Sequence, residues 1–174
     1  MIPRSPILLL AAAQALAQRS AGHAATIRRQ AADGPVTDAG AHFVHLAGYW
    51  SHHDPTLSVS SWPYSRRWSA ADIVRHAQRH KLLGTRGSAG DLVVIHDARG
   101  TPRRLGVVLA VLECAGLPRQ GLSLRCDVLW GDAARGGTPR IERQQAWFSA
   151  EQGDRFIQWY LAPDGRDQSL RWVA

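Results

Sequence analysis

Apolar positions recur at helical spacing through the first half of the chain and at strand spacing through the second. Ala and Leu dominate residues 6–18 and favour a first helix. Residues 20–32, with Ala24, Ala25, Ile27 and Ala31, read as a short second helix that Asp33-Gly34-Pro35 breaks. Thr37 or Asp38 is placed to cap a third helix carrying Ala41, Phe43, Val44, Leu46 and Ala47 to about Tyr49. Residues 51–64, with Pro55, Pro63 and several Ser, predict a loop. Ser69 predicts the N-cap of a helix over residues 70–81. Its buried stripe is Ile73, Val74 and Ala77, Asp72 and Lys81 suit the helix dipole, and Gly84 closes it.

From Asp91 the pattern changes to β. Strands are predicted over residues 92–96, 105–113 and 122–130, with a short one near 140–143. Leu122, Leu124, Cys126 and Val128 alternate and mark one buried face. Turn residues separate the strands at Asp97-Ala98-Arg99-Gly100, at 118–121 and at Gly136-Gly137. Residues 148–161, with Phe156, Ile157, Trp159 and Tyr160, fit either a last strand or a short helix. Helices followed by an antiparallel meander predict one α+β domain, and 174 residues suffice for one core.

Composition changes this picture little. Hydrophobic residues make up 45% of the chain, a globular value. The formal charge of +7 favours anionic partners. The arginines are scattered, some as pairs (Arg28-Arg29, Arg66-Arg67, Arg103-Arg104), and form no helix-long stripe, which speaks against specific nucleic-acid binding. Lys81 is the sole lysine, a skew of the kind a GC-rich bacterial genome produces.

The N-terminus has two readings. One basic residue (Arg4), the apolar run from Ile7 to Ala13 and Ala15-Leu16-Ala17 follow the layout of a secretory signal, which implies a secreted or periplasmic protein. An ordinary Ala-rich helix over the same residues leaves a cytoplasmic location open. The domain boundaries are then 1–18 for signal or helix and 19–174 for the domain. No stretch reaches the roughly 20 apolar residues of a membrane span. Cys114 and Cys126 flank the predicted turn 118–121, where strand pairing brings them close to opposite each other, so a disulfide and two separate thiols both fit.

Ala89-Gly90-Asp91-Leu92-Val93-Val94, followed by Leu105-Gly106-Val107-Val108, resembles the core of the papain-like cell-wall amidases, the CHAP and NlpC/P60 group. There a "GDLV" strand precedes an "HVGIV" strand bearing the catalytic His, and a helix opening on "WCAxFV" bears the nucleophilic Cys. The resemblance spans residues 24–132 and implies an NlpC/P60–CHAP fold, N-terminal helices followed by a half-barrel. The Cys position falls on Gly40 (in Ala39-Gly40-Ala41-His42-Phe43-Val44), the His position on Arg104, and the third polar position near Asp132. Gly40 has no side chain, and Arg104 stays protonated and cannot act as a base. The resemblance therefore implies a pseudoenzyme that binds peptidoglycan or another anionic cell-wall polymer, with no cofactor. Ligand contacts expected on this reading are His42, Trp62, Tyr64, Arg104 and Trp130. Arg104 equally fits as a filler of the vacated pocket, paired with Asp132 or Asp91. An active enzyme with relocated residues would use His96 as base, and a protein-interaction subunit without a small-molecule ligand is the third class.

Two further groups have ordinary readings beside functional ones. His42, His45, His52, His53 and Asp54 suggest zinc, but no Cys or Glu lies at a zinc spacing, and no metal site is expected. Trp62, Tyr64 and Trp68 either line a groove or staple the helix that starts at Ser69.

Overall fold

The computed structural model describes residues 3–20, 39–117, 121–133 and 139–161. The predicted helix over 20–32 and its break at 33–35 lie outside the described residues. The α-helices are α1 (Pro6–Ser20), α2 (Ala39–Ser51) and α3 (Ala70–Arg79). The strands are β1 (His53–Asp54), β2 (Val59–Ser60), β3 (Leu83–Gly84), β4 (Leu92–His96), β5 (Pro102–Leu117), β6 (Gly121–Ala133), β7 (Pro139–Ser149) and β8 (Arg155–Ile157). β1 and β2 form a hairpin inside the predicted loop, and the other strands form a six-stranded antiparallel sheet in the order β3-β8-β4-β5-β6-β7. The fold is α+β, as the pattern predicts. No helix among the described residues is long and apolar enough to cross a membrane.

Strand alternation gives the sheet a core on each face. On one, Leu92, Val94, Leu105, Val107, Leu129 and Ile157 pack with the buried stripes of the three helices. On the other, Val93, Val108, Leu124, Cys126, Val128, Trp130, Phe148 and Phe156 pack together. The short connection 150–154 carries the chain from β7, at the sheet edge, to β8 beside β4. Phe148 meets Phe156 with ring centroids 6.1 Å apart, so the sheet curls around the second core.

β5 and β7 run well past their predicted ends. Residues 114–116, which extend β5 past its predicted end, are exposed, and β7 continues past 143 through Gln144-Gln145. Backbone pairing with β6 extends them regardless, from Gly106↔Trp130 to Leu117↔Gly121 on one side and from Ser123↔Ser149 to Ala133↔Pro139 on the other. That register sets Cys114 opposite Leu124 and Cys126 opposite Val111. A shift between Val111 and Glu113 leaves the two cysteines out of step; Cys114 is exposed, Cys126 is buried, and both are free. The disulfide alternative is thereby corrected.

α3 starts where predicted, with a capping box: Ser69 Oγ accepts from Asp72 N–H at 3.2 Å and Asp72 Oδ2 accepts from Ser69 N–H at 3.0 Å. It ends earlier than Gly84. Lys81 takes the left-handed conformation (φ 55°), Leu82 N–H donates to Ala77 O at 2.8 Å and Lys81 N–H to Gln78 O at 3.2 Å. This closure is usually glycine's; here Leu82, buried beside α3, holds it in place.

α1 belongs to the core. Leu9 and Ala13 are fully buried, Ser5 N–H donates to His52 Nε2 at 3.0 Å, and Arg4 Nε donates to Ser61 O at 3.2 Å. Its first residue rests on the Gly90-Asp91 turn: a Cβ on Gly90 (φ 89°) would lie 2.4 Å from Pro6 Cβ. The turn is tied to β5 by Gly90 N–H to Val108 O at 2.8 Å and Val108 N–H to Asp91 O at 2.9 Å.

Asp91 is fully buried, and its carboxyl accepts from Ser88 N–H at 2.7 Å. Burial pushes its pKa up to about 7, against the opposing effect of hydrogen bonds from Ser88 and Tyr160. A raised folded-state pKa means the folded chain holds its proton longer than the unfolded chain. The carboxyl costs nothing below about pH 4, and its cost grows as pH rises to about 7, approaching roughly 4 kcal/mol at about 1.4 kcal/mol per unit. Asp91→Asn keeps an acceptor for Ser88 and removes this slope. Urea unfolding from pH 5 to 8 should show the variant gaining on wild type by a few kcal/mol as pH rises. A constant difference across that range refutes the assignment.

Candidate functional site

The region singled out by the sequence is where the N-terminus of α2 meets β5 and β6. The apolar side of α2 buries Ala41, Phe43, Val44 and Ala47, and two glycines set how close it lies to the sheet. A Cβ on Gly40 would stand 2.8 Å from Leu105 O and 3.0 Å from Leu105 N. A Cβ on Gly131 would stand 2.3 Å from Ala39 O and 2.5 Å from Phe43 Cβ. Gly40, the neighbour of Arg104 and the neighbour of Asp132 are therefore brought together along the backbone.

The Arg104 side chain does not point towards Gly40. Leu105 faces the helices, so Arg104, one residue earlier on the strand, leaves from the opposite face. Its guanidinium lies 4.6 Å from the centroid of the Trp130 ring and donates to Gln144 Oε1 at 3.1 Å and to Glu142 Oε2 at 3.4 Å, both on β7. The expectation that Arg104 projects into a cleft opened by Gly40 is corrected: the sheet lies between them. Arg104 fills space as the alternative reading held and pairs with Glu142; the Asp132 side chain lies outside the described residues. Asp132 itself sits in β6 opposite Arg140.

A void of about 10 Å³, room for about one water, lies among Ala39, His42, Leu46, Gly131, Arg140 and Ile141. His42 borders it, and burial with the nearby charge of Arg66 lowers its pKa, so its imidazole is biased towards the neutral form.

The remaining expected ligand contacts are core residues. Trp62, Tyr64 and Trp130 are all buried. Trp62 packs against Trp159 (centroids 4.7 Å) and Tyr64 (5.3 Å), and it leaves no room for a side chain at Gly48, whose Cβ would stand 2.3 Å from the indole. The loop aromatics therefore staple α3 and fill the core; they line no groove. Burial pushes the Tyr64 hydroxyl well above its ordinary pKa.

Two histidines of the group that suggested zinc complete this nest instead. His45 accepts from Trp62 Nε1–H on Nδ1 at 3.3 Å and donates from Nε2 to Trp68 O at 2.8 Å. His52 is fully buried; its Nδ1 lies 3.0 Å from Gly48 O, its Nε2 accepts from Ser5 N–H, and burial lowers its pKa. With their ring nitrogens so occupied, neither is free for a metal, and the described residues contain no group of three or more metal-ligating side chains.

His96, the substitute base, bonds through Nδ1 to Gly153 O at 2.9 Å. Among the described residues its imidazole makes no hydrogen bond to a Ser, Thr or Cys side chain. Burial, with the charge of Asp91 adding to it, pushes the Cys126 thiol up to about 11, so it is not a thiolate near neutral pH.

Comparison with protein-family models, with curated proteins and with solved structures finds no match to this chain.

Proposed function

We propose that this chain is a non-catalytic interaction module on a papain-like, NlpC/P60–CHAP-type scaffold. The scaffold reading is supported by the order of elements, three described helices and then a curled antiparallel sheet, and by the N-terminus of α2 lying on β5 beside the Arg104 position. The absence of catalysis rests on one observation above all. The Gly40 position is closed by the Leu105 backbone at 2.8 Å, so the nucleophile's place is occupied by a strand. The thiolate–base pair such an amidase requires has no site here.

Among the readings the sequence leaves open, burial of Trp62, Tyr64 and Trp130 favours a protein or surface partner over a small cell-wall fragment. Incubation with purified peptidoglycan should release no soluble fragments, and soluble muropeptides should leave the melting temperature unchanged. Turnover, or a saturable rise in Tm with muropeptide, overturns the proposal.

A further inference from the structure

One end of the molecule gathers exposed apolar side chains that no described residue covers. Ser5 bonds to His52, His52 O accepts from Ser61 N–H at 3.1 Å, and Arg4 bonds to Ser61 O. These contacts join the start of α1, the end of α2 and the base of the β1–β2 hairpin. At this end Ile7 is 73% exposed, Trp50 57% and Leu57 58%, with Leu8 and Val59 also exposed. Single exposed apolar residues are ordinary, but five large ones at one end mark an interaction surface.

The charge around them selects the partner. Arg66 and Arg67 are exposed, and the Arg66 guanidinium lies 4.9 Å from the centroid of the Tyr49 ring, one residue from Trp50. Asp54 is the one acidic residue among the described residues 3–20 and 39–69, and its Oδ1 is engaged by Thr56 N–H at 3.0 Å. The whole chain carries +7. A Trp, aliphatic side chains on a helix start and a hairpin, and flanking arginines with almost no opposing acid are complementary to a bilayer interface with anionic headgroups.

We propose that this end docks peripherally on an anionic lipid bilayer, with Ile7, Leu8, Trp50, Leu57 and Val59 entering the interface and Arg66 and Arg67 meeting the headgroups. This deepens the interaction-module reading by naming its partner, and it is read out separately from peptidoglycan turnover, so either can fail alone. The test is co-sedimentation of the full chain with vesicles of phosphatidylglycerol and phosphatidylcholine, and with phosphatidylcholine alone. Binding to the anionic vesicles is expected to be about tenfold or more tighter, and to weaken with added salt. The double variant Trp50→Ser, Leu57→Ser should lose about tenfold in binding with its Tm unchanged, because both side chains are exposed. No sedimentation with anionic vesicles overturns the proposal. So does undiminished binding by the double variant, which would leave charge alone as the cause. Self-association without lipid that the double variant abolishes assigns the patch to a second copy of the chain and overturns it as well.

Discussion

Leu9→Ala is expected to lower the stability of the chain by about 3 kcal/mol, and a chain starting after Ala17 is expected not to fold. Leu9 is fully buried in the core shared by the helices and the sheet. Truncating a buried leucine removes its transfer free energy and leaves a cavity, together about 2–5 kcal/mol. Whole domains have only about 5–15 kcal/mol of net stability. The truncation removes more: Leu9 and Ala13, the Ser5 donor to buried His52, and Pro6 from its seat on Gly90. His52 Nε2 would then be a buried acceptor without a donor, at a cost of about 1–3 kcal/mol. Urea unfolding followed by circular dichroism measures both effects. A truncated chain that unfolds cooperatively at the wild-type midpoint would show that α1 is dispensable to the fold. The secretory-signal layout then becomes the better account of residues 1–17.

That duality shows where the sequence speaks and where it falls silent. Ile7-Leu8-Leu9-Leu10 is apolar on every side, so hydrophobicity alone marks no buried face; in the fold, Leu9 is buried while Ile7 is exposed. α3 is the opposite case. Its stripe of Ile73, Val74 and Ala77 and its Ser69–Asp72 box are local features, and both its start and its buried face follow from them. Strand cores were legible for the same reason: Val93 and Val94 are buried on both faces and leave a continuous apolar run. The end of β5 after 113 and the extension of β7 beyond 143 were not, because backbone pairing to β6 sets their length. Pairing between distant segments leaves no local period.

The site was legible in position and misread in orientation. Gly40, Arg104 and Asp132 do converge along the backbone, as the resemblance to the amidase motifs implies. The face on which Arg104 lies depends on strand parity: Leu105 is buried under α2, so its neighbour must turn away. The sequence left Trp62 and Tyr64 open between a groove and a staple, because a polar, Pro-containing loop gives no sign that Gly48 leaves room for an indole.

Gly40 offers the sharpest check of this arrangement. Gly40→Ala should destabilise the chain by about 1–2 kcal/mol, although alanine is the better helix former by about 1 kcal/mol. The added Cβ meets strand backbone at 2.8 Å, and backbone cannot swing aside as the end of a side chain can. Overpacking of that kind costs about 1–3 kcal/mol, occasionally more, and must exceed the propensity gain. Gly116→Ala serves as the control, since a Cβ there meets nothing within 4 Å. The same geometry predicts the outcome of rebuilding the amidase pair. In Gly40→Cys, Arg104→His the thiol is forced against β5, while the imidazole stands over Trp130 on the other face of the sheet. The pair is out of hydrogen-bond reach, no thiolate is generated, and peptidoglycan remains uncleaved, with a Tm below wild type. Cleavage by this double variant, or a Gly40→Ala chain as stable as wild type, would mean that α2 can lift from β5 and that a groove can open between them.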